Sequence, residues 1–338
     1  LKYNSINLKG EGEMGNKIER LEINNFHNFR NFKLENLGRF NVITGPNNVG
    51  KTSLLEAIFS NGALFVDKRE EKIRLFIYSI IQIALFRRMG FLSELKRRTL
   101  KEINSYLPEK GSILINGKSL TNFPRGEKLE EKLLNWLLKL QITPEALIYE
   151  IENPPVVFIP SCFQRELFLK CYDQILEKGE EEELFEQIRA FYPEVKKLLV
   201  TPFKRETIVV TTGGERVEIS YLGEGFKRAL LFLVTLYWGR GKILLIDEVE
   251  NGIWYRLFPE LIQTLYDLAE KLEVQLFLTT HSRDFLEGVY RFLKEREGKE
   301  PEIRIIELMG GKDGTYPHIY TPSQFRVQWE AGEDVRGW

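Results

Sequence analysis

Asn41-Val-Ile-Thr-Gly-Pro-Asn-Asn-Val-Gly-Lys-Thr-Ser53 is the stretch that decides the fold. An apolar strand runs into a Gly45-x-x-x-x-Gly50-Lys51-Thr52 loop, and Ser53-Leu-Leu-Glu-Ala-Ile58 follows with the character of a helix's first turns. This is a phosphate-binding P-loop in a strand–loop–helix context. Its glycines let main-chain N–H groups approach phosphates closely, and the helix start adds partial positive charge. Gly45, Pro46, Asn47, Asn48, Val49, Gly50, Lys51, Thr52 and Ser53 are therefore the expected nucleotide cradle. In such a loop the lysine, Lys51, reaches the β- and γ-phosphates and the Thr52 hydroxyl ligates Mg²⁺.

The chain's 338 residues suffice for one large α/β domain with an insertion, or for two domains. A hydrophobic content of 43%, a charged content of 29% and a net charge of -1 fit a soluble globular protein and exclude a globally basic nucleic-acid binder. Cys162 and Cys171 make no disulfide framework and suit a reducing cytoplasm, the expected location. The longest apolar run, Leu75 to Phe86, is interrupted by Gln82 and falls short of the roughly 20 residues a spanning helix needs, so no membrane anchor is expected. Residues 1–16 lack a signal-peptide core and read as a flexible tail.

Taken in order, residues 17–23 alternate as a half-buried strand and a second strand is expected over 32–36. Arg30 falls on the turn between them, either reaching a nucleotide phosphate or sugar or standing in solvent. Residues 63–155 read as a mostly helical inserted subdomain that divides an ATPase domain of 17–62 and 156–338. Within it Arg87, Arg88, Lys96, Arg97, Arg98 and Lys101 form a basic cluster, either a contact for DNA, RNA or an acidic partner or a solvated face. Ser112 to Leu120 reads as a short hairpin about an Asn116-Gly117 turn.

Val156 to Ile159 reads as a buried strand, and Gln164 beyond it is placed to sense Mg²⁺ and couple the insertion to the nucleotide. A hairpin about Gly213-Gly214 leads to Tyr221-Leu-Gly-Glu-Gly-Phe-Lys-Arg228, where Gly223 and Gly225 form a second anion-accepting turn before the helix Ala229 to Trp238. Lys242-Ile-Leu-Leu-Ile-Asp-Glu-Val-Glu250 is an apolar strand ending in carboxylates, as in a parallel sheet whose functional residues sit at carboxyl ends. Asp247 is placed to hold Mg²⁺ and Glu248 to polarise a water attacking the γ-phosphate. Val274 to Thr280 is one more buried strand, and it delivers His281 beside the same phosphate. A last strand is expected over 303–308.

In this order, the P-loop, Leu-Gly-Glu-Gly, Ile-Asp-Glu-Val-Glu-Asn-Gly and Thr-Thr-His-Ser resemble the ATP-binding-cassette ATPases. More narrowly the set resembles standalone AAA-family ATPases related to OLD proteins, and it is more distantly similar to RecF and SMC-type repair ATPases. The resemblance spans roughly residues 17–62 and 156–336. It implies an α/β P-loop NTPase of the ATP-binding-cassette type with a mostly helical insertion. It also implies a head-to-tail homodimer, or a higher homo-oligomer, in which the Gly223–Gly225 turn of one copy closes over ATP held by the other. His281 would be the switch histidine, and Asn251 and Gly252 would lie at the dimer interface. Two positions depart from the pattern: Leu222 stands where transporter-like signatures carry a serine, and Trp254 where OLD-like relatives often carry a histidine.

OLD proteins continue into a Toprim nuclease domain, which residues 282–338 are not expected to contain. The resemblance therefore implies an ATP-hydrolysing switch whose effector is a separate polypeptide, as in two-gene anti-phage systems that pair such an ATPase with a Toprim nuclease. The alternatives are a DNA-repair ATPase that grips nucleic acid directly, and a non-hydrolysing scaffold that uses ATP as structural glue.

Overall fold

The structure, a computed structural model, describes residues 17–61, 112–115, 118–119, 154–201, 206–298, 301–312 and 314–336. The tail 1–16, the basic cluster Arg87 to Lys101 and all but a few residues of 63–155 lie outside that set.

Four strands buried on both faces build the centre: β3 (Phe40–Thr44), β6 (Val156–Ile159), β10 (Ile243–Ile246) and β11 (Gln275–Thr279). They are mainly apolar because both of their faces are buried, with Asn41, Thr44, Gln275 and Thr279 as buried polar exceptions. With β12 (Ile303–Gly311) and β13 (Gly314–Tyr320) they form a six-stranded sheet, ordered β13-β12-β3-β11-β10-β6. All pairs are parallel except the β12–β13 hairpin. Alternate residues divide the core. Val42, Val157, Ile159, Leu244, Ile246, Leu276 and Leu278 belong to one large buried cluster with α2 (Arg165–Lys178), α3 (Glu181–Phe191), α4 (Glu224–Trp238), α5 (Phe258–Lys271) and α6 (Arg283–Lys294). Phe158 faces the other way and meets Phe59 of α1 (Lys51–Ser60), ring centroids 5.6 Å apart.

Two smaller antiparallel sheets flank the centre. One is β2-β1-β4-β5, from β1 (Leu21–Phe26), β2 (Phe29–Leu34), β4 (Ser112–Ile115) and β5 (Lys118–Ser119). The two strands of the expected hairpin pair with each other, its Asn116-Gly117 turn lying outside the described residues, and β4 pairs directly with β1. Strand pairing thus joins this part of 63–155 to the N-terminal sheet. The opening hairpin is tighter than expected, turning at His27 and Asn28 with β2 starting at Phe29, where Asn25 (φ 52°) and His27 (φ 48°) take left-handed conformations. Arg30 is corrected accordingly: it lies within β2, exposed, and not on the turn. The other sheet is β7-β8-β9, from β7 (Val195–Val200), β8 (Thr207–Thr211) and β9 (Arg216–Glu218). The expected single last strand is a hairpin, β12–β13, followed by α7 (Pro322–Glu330), whose Thr321 and Gln324 form a capping box. Among the described residues no helix is long and apolar enough to cross a membrane.

Lys242, where the chain enters β10, is a buried amine at the opposite end of that strand from Asp247. It is 6% exposed, and its Nζ sits 3.5 Å from the centroid of the Trp238 ring. Burial pushes its pKa down from 10.5 to about 7. The unfolded chain therefore takes up a proton that the folded chain lacks between those values, and stability should rise with pH across that window. Lys242→Met is expected to remove a slope of at most about 1.4 kcal/mol per pH unit, read as urea midpoints of the two proteins from pH 7 to pH 10.

Candidate functional site

The strands β3, β11, β10 and β6 run parallel, so their carboxyl ends meet at one edge of the sheet. That edge collects the P-loop after β3, His281 after β11, Asp247 to Glu250 after β10 and Gln164 after β6.

Backbone geometry shapes the P-loop. Gly45 (φ 137°) passes so close to β12 that a Cβ there would lie 2.4 Å from the Leu308 carbonyl oxygen. Gly50 (φ 111°) caps α1, with no side chain satisfying the helix's first N–H groups and no acid in its first turn. Those donors are left for an anion. The loop is buttressed by Thr315, whose hydroxyl donates to Val49 O at 2.7 Å, and by Asn28, whose amide donates to Asn48 O at 3.2 Å. Arg30 lies beside this contact, its Cγ within 3.4 Å of where a Gly314 Cβ would stand. Lys51 folds back over the loop, donating to Gly45 O at 2.7 Å and Pro46 O at 2.9 Å. Burial lowers its pKa, against the charges of Glu250, Asp247 and Glu248.

Opposite Lys51, the Thr52 hydroxyl lies 3.1 Å from each Asp247 carboxylate oxygen, and Thr279 donates to Asp247 Oδ1 at 2.6 Å. Asp247 is 8% exposed and burial raises its pKa; its two side-chain partners are neutral hydroxyls. A buried carboxylate beside a hydroxyl, with no cationic side chain bonded to it among the described residues, suits a hard cation. This donor set fits Mg²⁺, which takes one or two protein oxygens and completes its shell with water and phosphate oxygens. Thr52 and Asp247 would hold it. Gln164 is placed differently from the sequence expectation: it caps α2, and its amide donates to Cys162 Sγ at 3.2 Å.

Glu248 follows Asp247 with φ 47°, an uncommon conformation for a residue with a side chain. Two neighbours hold it there. Thr279 Oγ1 accepts from its N–H at 2.8 Å, and Arg228 donates to its carbonyl at 2.9 Å. Arg228 was not singled out from the sequence. It is fully buried on α4, also bonds Pro160 O at 2.7 Å and Asp247 O at 3.1 Å, and so ties the ends of β6 and β10 to the glycine turn. A cation directly before the apolar run Ala229 to Trp238, next to Lys227, was its only signal. Glu250 was missed as a site residue too: its Oε1 accepts from His281 N at 2.8 Å and lies 3.0 Å from His281 Nδ1.

The glycine turn differs in one respect from expectation. Gly223 caps α4 with open space around it, whereas Gly225 lies inside the first helical turn. A Cβ on Gly225 would stand 2.4 Å from Gly252 O. Gly225 therefore serves the packing of α4 on the 251–252 loop. Gly225→Ala should destabilise by about 1–3 kcal/mol, and Gly223→Ala by no more than about 0.5 kcal/mol, in urea unfolding. Equal costs would contradict this contact.

Two family models match the chain. One, described as an AAA ATPase domain, matches residues 17–155. The other, described as "AAA domain, putative AbiEii toxin, Type IV TA system", matches residues 113–287, just over half of the chain. The chain belongs to this AAA-domain family. The AAA domain is 23% identical over 374 aligned positions to an "ATP/GTP phosphatase" of Helicobacter pylori, across 95% of this chain and 100% of that protein. It is 35% identical over 131 residues to the DNA replication and repair protein RecF of Glaesserella parasuis, across 38% of this chain and 33% of RecF. Among solved structures it is similar to an Smc head domain with an extended coiled coil from Pyrococcus furiosus, at 13% identity and a TM-score of 0.47, covering 94% of this chain and 99% of that one. The fold, with its P-loop strand, acidic strand and histidine strand in one parallel sheet, is that of a P-loop NTPase of the ATP-binding-cassette type.

Proposed function

We propose that this AAA domain binds and hydrolyses ATP with Mg²⁺ and acts as a molecular switch on a separate effector. One observation carries the reading: Lys51, the Thr52–Asp247 pair, Glu248 and His281 come from three neighbouring strand ends to one edge. The P-loop N–H groups and Lys51 bind the β- and γ-phosphates. Mg²⁺ at Thr52 and Asp247 neutralises phosphate charge. Glu248 takes the proton of a water that attacks the γ-phosphorus as the bond to the β-phosphate oxygen breaks, and His281 donates to the γ-phosphate. ATP shared between the P-loop of one copy and the Gly223 turn of another drives a homodimer. Binding energy that differs between open and closed forms is what signals.

We assign the effector to the chemistry of a Toprim-type nuclease in anti-phage defence, within the cytoplasm. The motif order, which resembles that of the OLD-like group, supports this. Sedimentation of the Glu248→Gln protein tests the switch: Mg²⁺ with ATP should convert it to dimer while ADP leaves it unchanged, and equal sedimentation in both would refute closure around ATP. The RecF match supports a second reading, direct grip on DNA. DNA-stimulated phosphate release that falls steeply with salt would favour it.

A further inference from the structure

We propose that Glu250 is a positioning residue for ATP hydrolysis, acting through His281; the inference rests on the ATPase reading above. Glu250 stands two residues beyond Glu248, where β10 and β11 leave the sheet side by side. A single oxygen, Oε1, receives the main-chain N–H of His281 at 2.8 Å and faces its Nδ1 at 3.0 Å. The first contact fixes where the chain leaves β11. The second fixes the rotation of the imidazole.

Such a pair also sets the tautomer, since the ring nitrogen that faces a carboxylate carries the proton. Nδ1 therefore donates to Glu250, and Nε2 is turned away from it. The side chain of His281 is 50% exposed while that of Glu250 is 9% exposed, so the buried acid holds and the open ring reads. When a γ-phosphate oxygen arrives, Nε2 must carry a proton to donate to it, and the exposed ring takes that proton from solvent. A carboxylate on Nδ1 stabilises the doubly protonated ring that results. A carboxamide would keep the hydrogen bond without offsetting that charge.

A second observation separates this carboxylate from an ordinary surface latch. Glu250 Oε2 is buried and, among the described residues, has no hydrogen-bond partner. An unsatisfied buried carboxylate oxygen is costly and is retained where a site uses it. The site in question is the edge where β10 and β11 end side by side, which also carries Asp247 and Glu248. Glu250 thus ties the end of β10, which bears Asp247 and Glu248, to the phosphate-reading His281.

The test uses the full chain labelled with ¹⁵N-histidine, together with steady-state phosphate release. Without nucleotide, the His281 ring is expected as the Nδ1–H tautomer in the wild type and in Glu250→Gln, and to lose that preference in Glu250→Ala. In Glu250→Gln kcat should fall on the order of tenfold or more while KM for Mg·ATP changes less than about threefold, the split for a group used only in the transition state. An unchanged tautomer in Glu250→Ala would overturn the pairing with the ATPase reading intact. Wild-type turnover in Glu250→Gln would overturn the positioning role. No turnover in the wild type would overturn the ATPase reading, and the positioning role with it, while the tautomer comparison still judged the Glu250–His281 pair.

Discussion

Lys51→Ala is expected to weaken Mg·ATP binding by at least ~100-fold, the scale for truncating one partner of a desolvated charge pair. Lys51 is the cation that folds over the P-loop, bonded to Gly45 O and Pro46 O, and three carboxylates, Asp247, Glu248 and Glu250, act on it. Without it, a triphosphate would meet the carboxylates of Asp247, Glu248 and Glu250 with the cation they act on removed. The unpaired N–H groups at the start of α1 would still attract phosphate, but a helix terminus contributes only about 0.3–1 kcal/mol at exposed positions. Calorimetric titration of both proteins with ATP and Mg²⁺ checks this. Affinity within threefold of the wild type would remove the P-loop from the account.

Glu248→Gln is expected to bind ATP about as well as the wild type and to turn over at least ~100-fold more slowly, the usual scale for losing a general base. The substitution isolates the carboxylate because main-chain groups hold residue 248 in place. Its N–H bonds Thr279 Oγ1 and its carbonyl accepts from Arg228. A carboxamide of the same shape can keep the left-handed backbone at φ 47° and loses only the ability to take a proton. Single-turnover phosphate release checks it, and unchanged turnover would exclude Glu248 as the base.

The motif residues were legible because each lies at the end of a strand buried on both faces. A short, mainly apolar run followed by Gly45, by Asp247-Glu248 or by His281 specifies both a strand and the edge at which its chemistry appears. What the sequence could not supply was adjacency between strand ends. That Glu250 meets His281 follows from β10 lying next to β11. That Arg228 bonds three carbonyls follows from α4 starting beneath the ends of β6 and β10. Arg30 was misplaced because asparagines at 24, 25, 28 and 31 offer several equivalent turn positions, and left-handed Asn25 and His27 select one. The β12–β13 hairpin was read as one strand because Pro317 and exposed Tyr316 and His318 break the apolar pattern of β13. In β7, exposed Lys196 and Lys197 obscure the strand in the same way.

The most direct measurement is steady-state phosphate release by the purified wild-type chain with saturating Mg²⁺ and ATP. The arrangement of Lys51, Thr52, Asp247, Glu248 and His281 predicts many phosphates released per chain, and none above background for Lys51→Ala. Release that stops at one phosphate per chain or fewer, from protein that unfolds cooperatively and binds ATP, would contradict hydrolysis and leave ATP as a structural ligand.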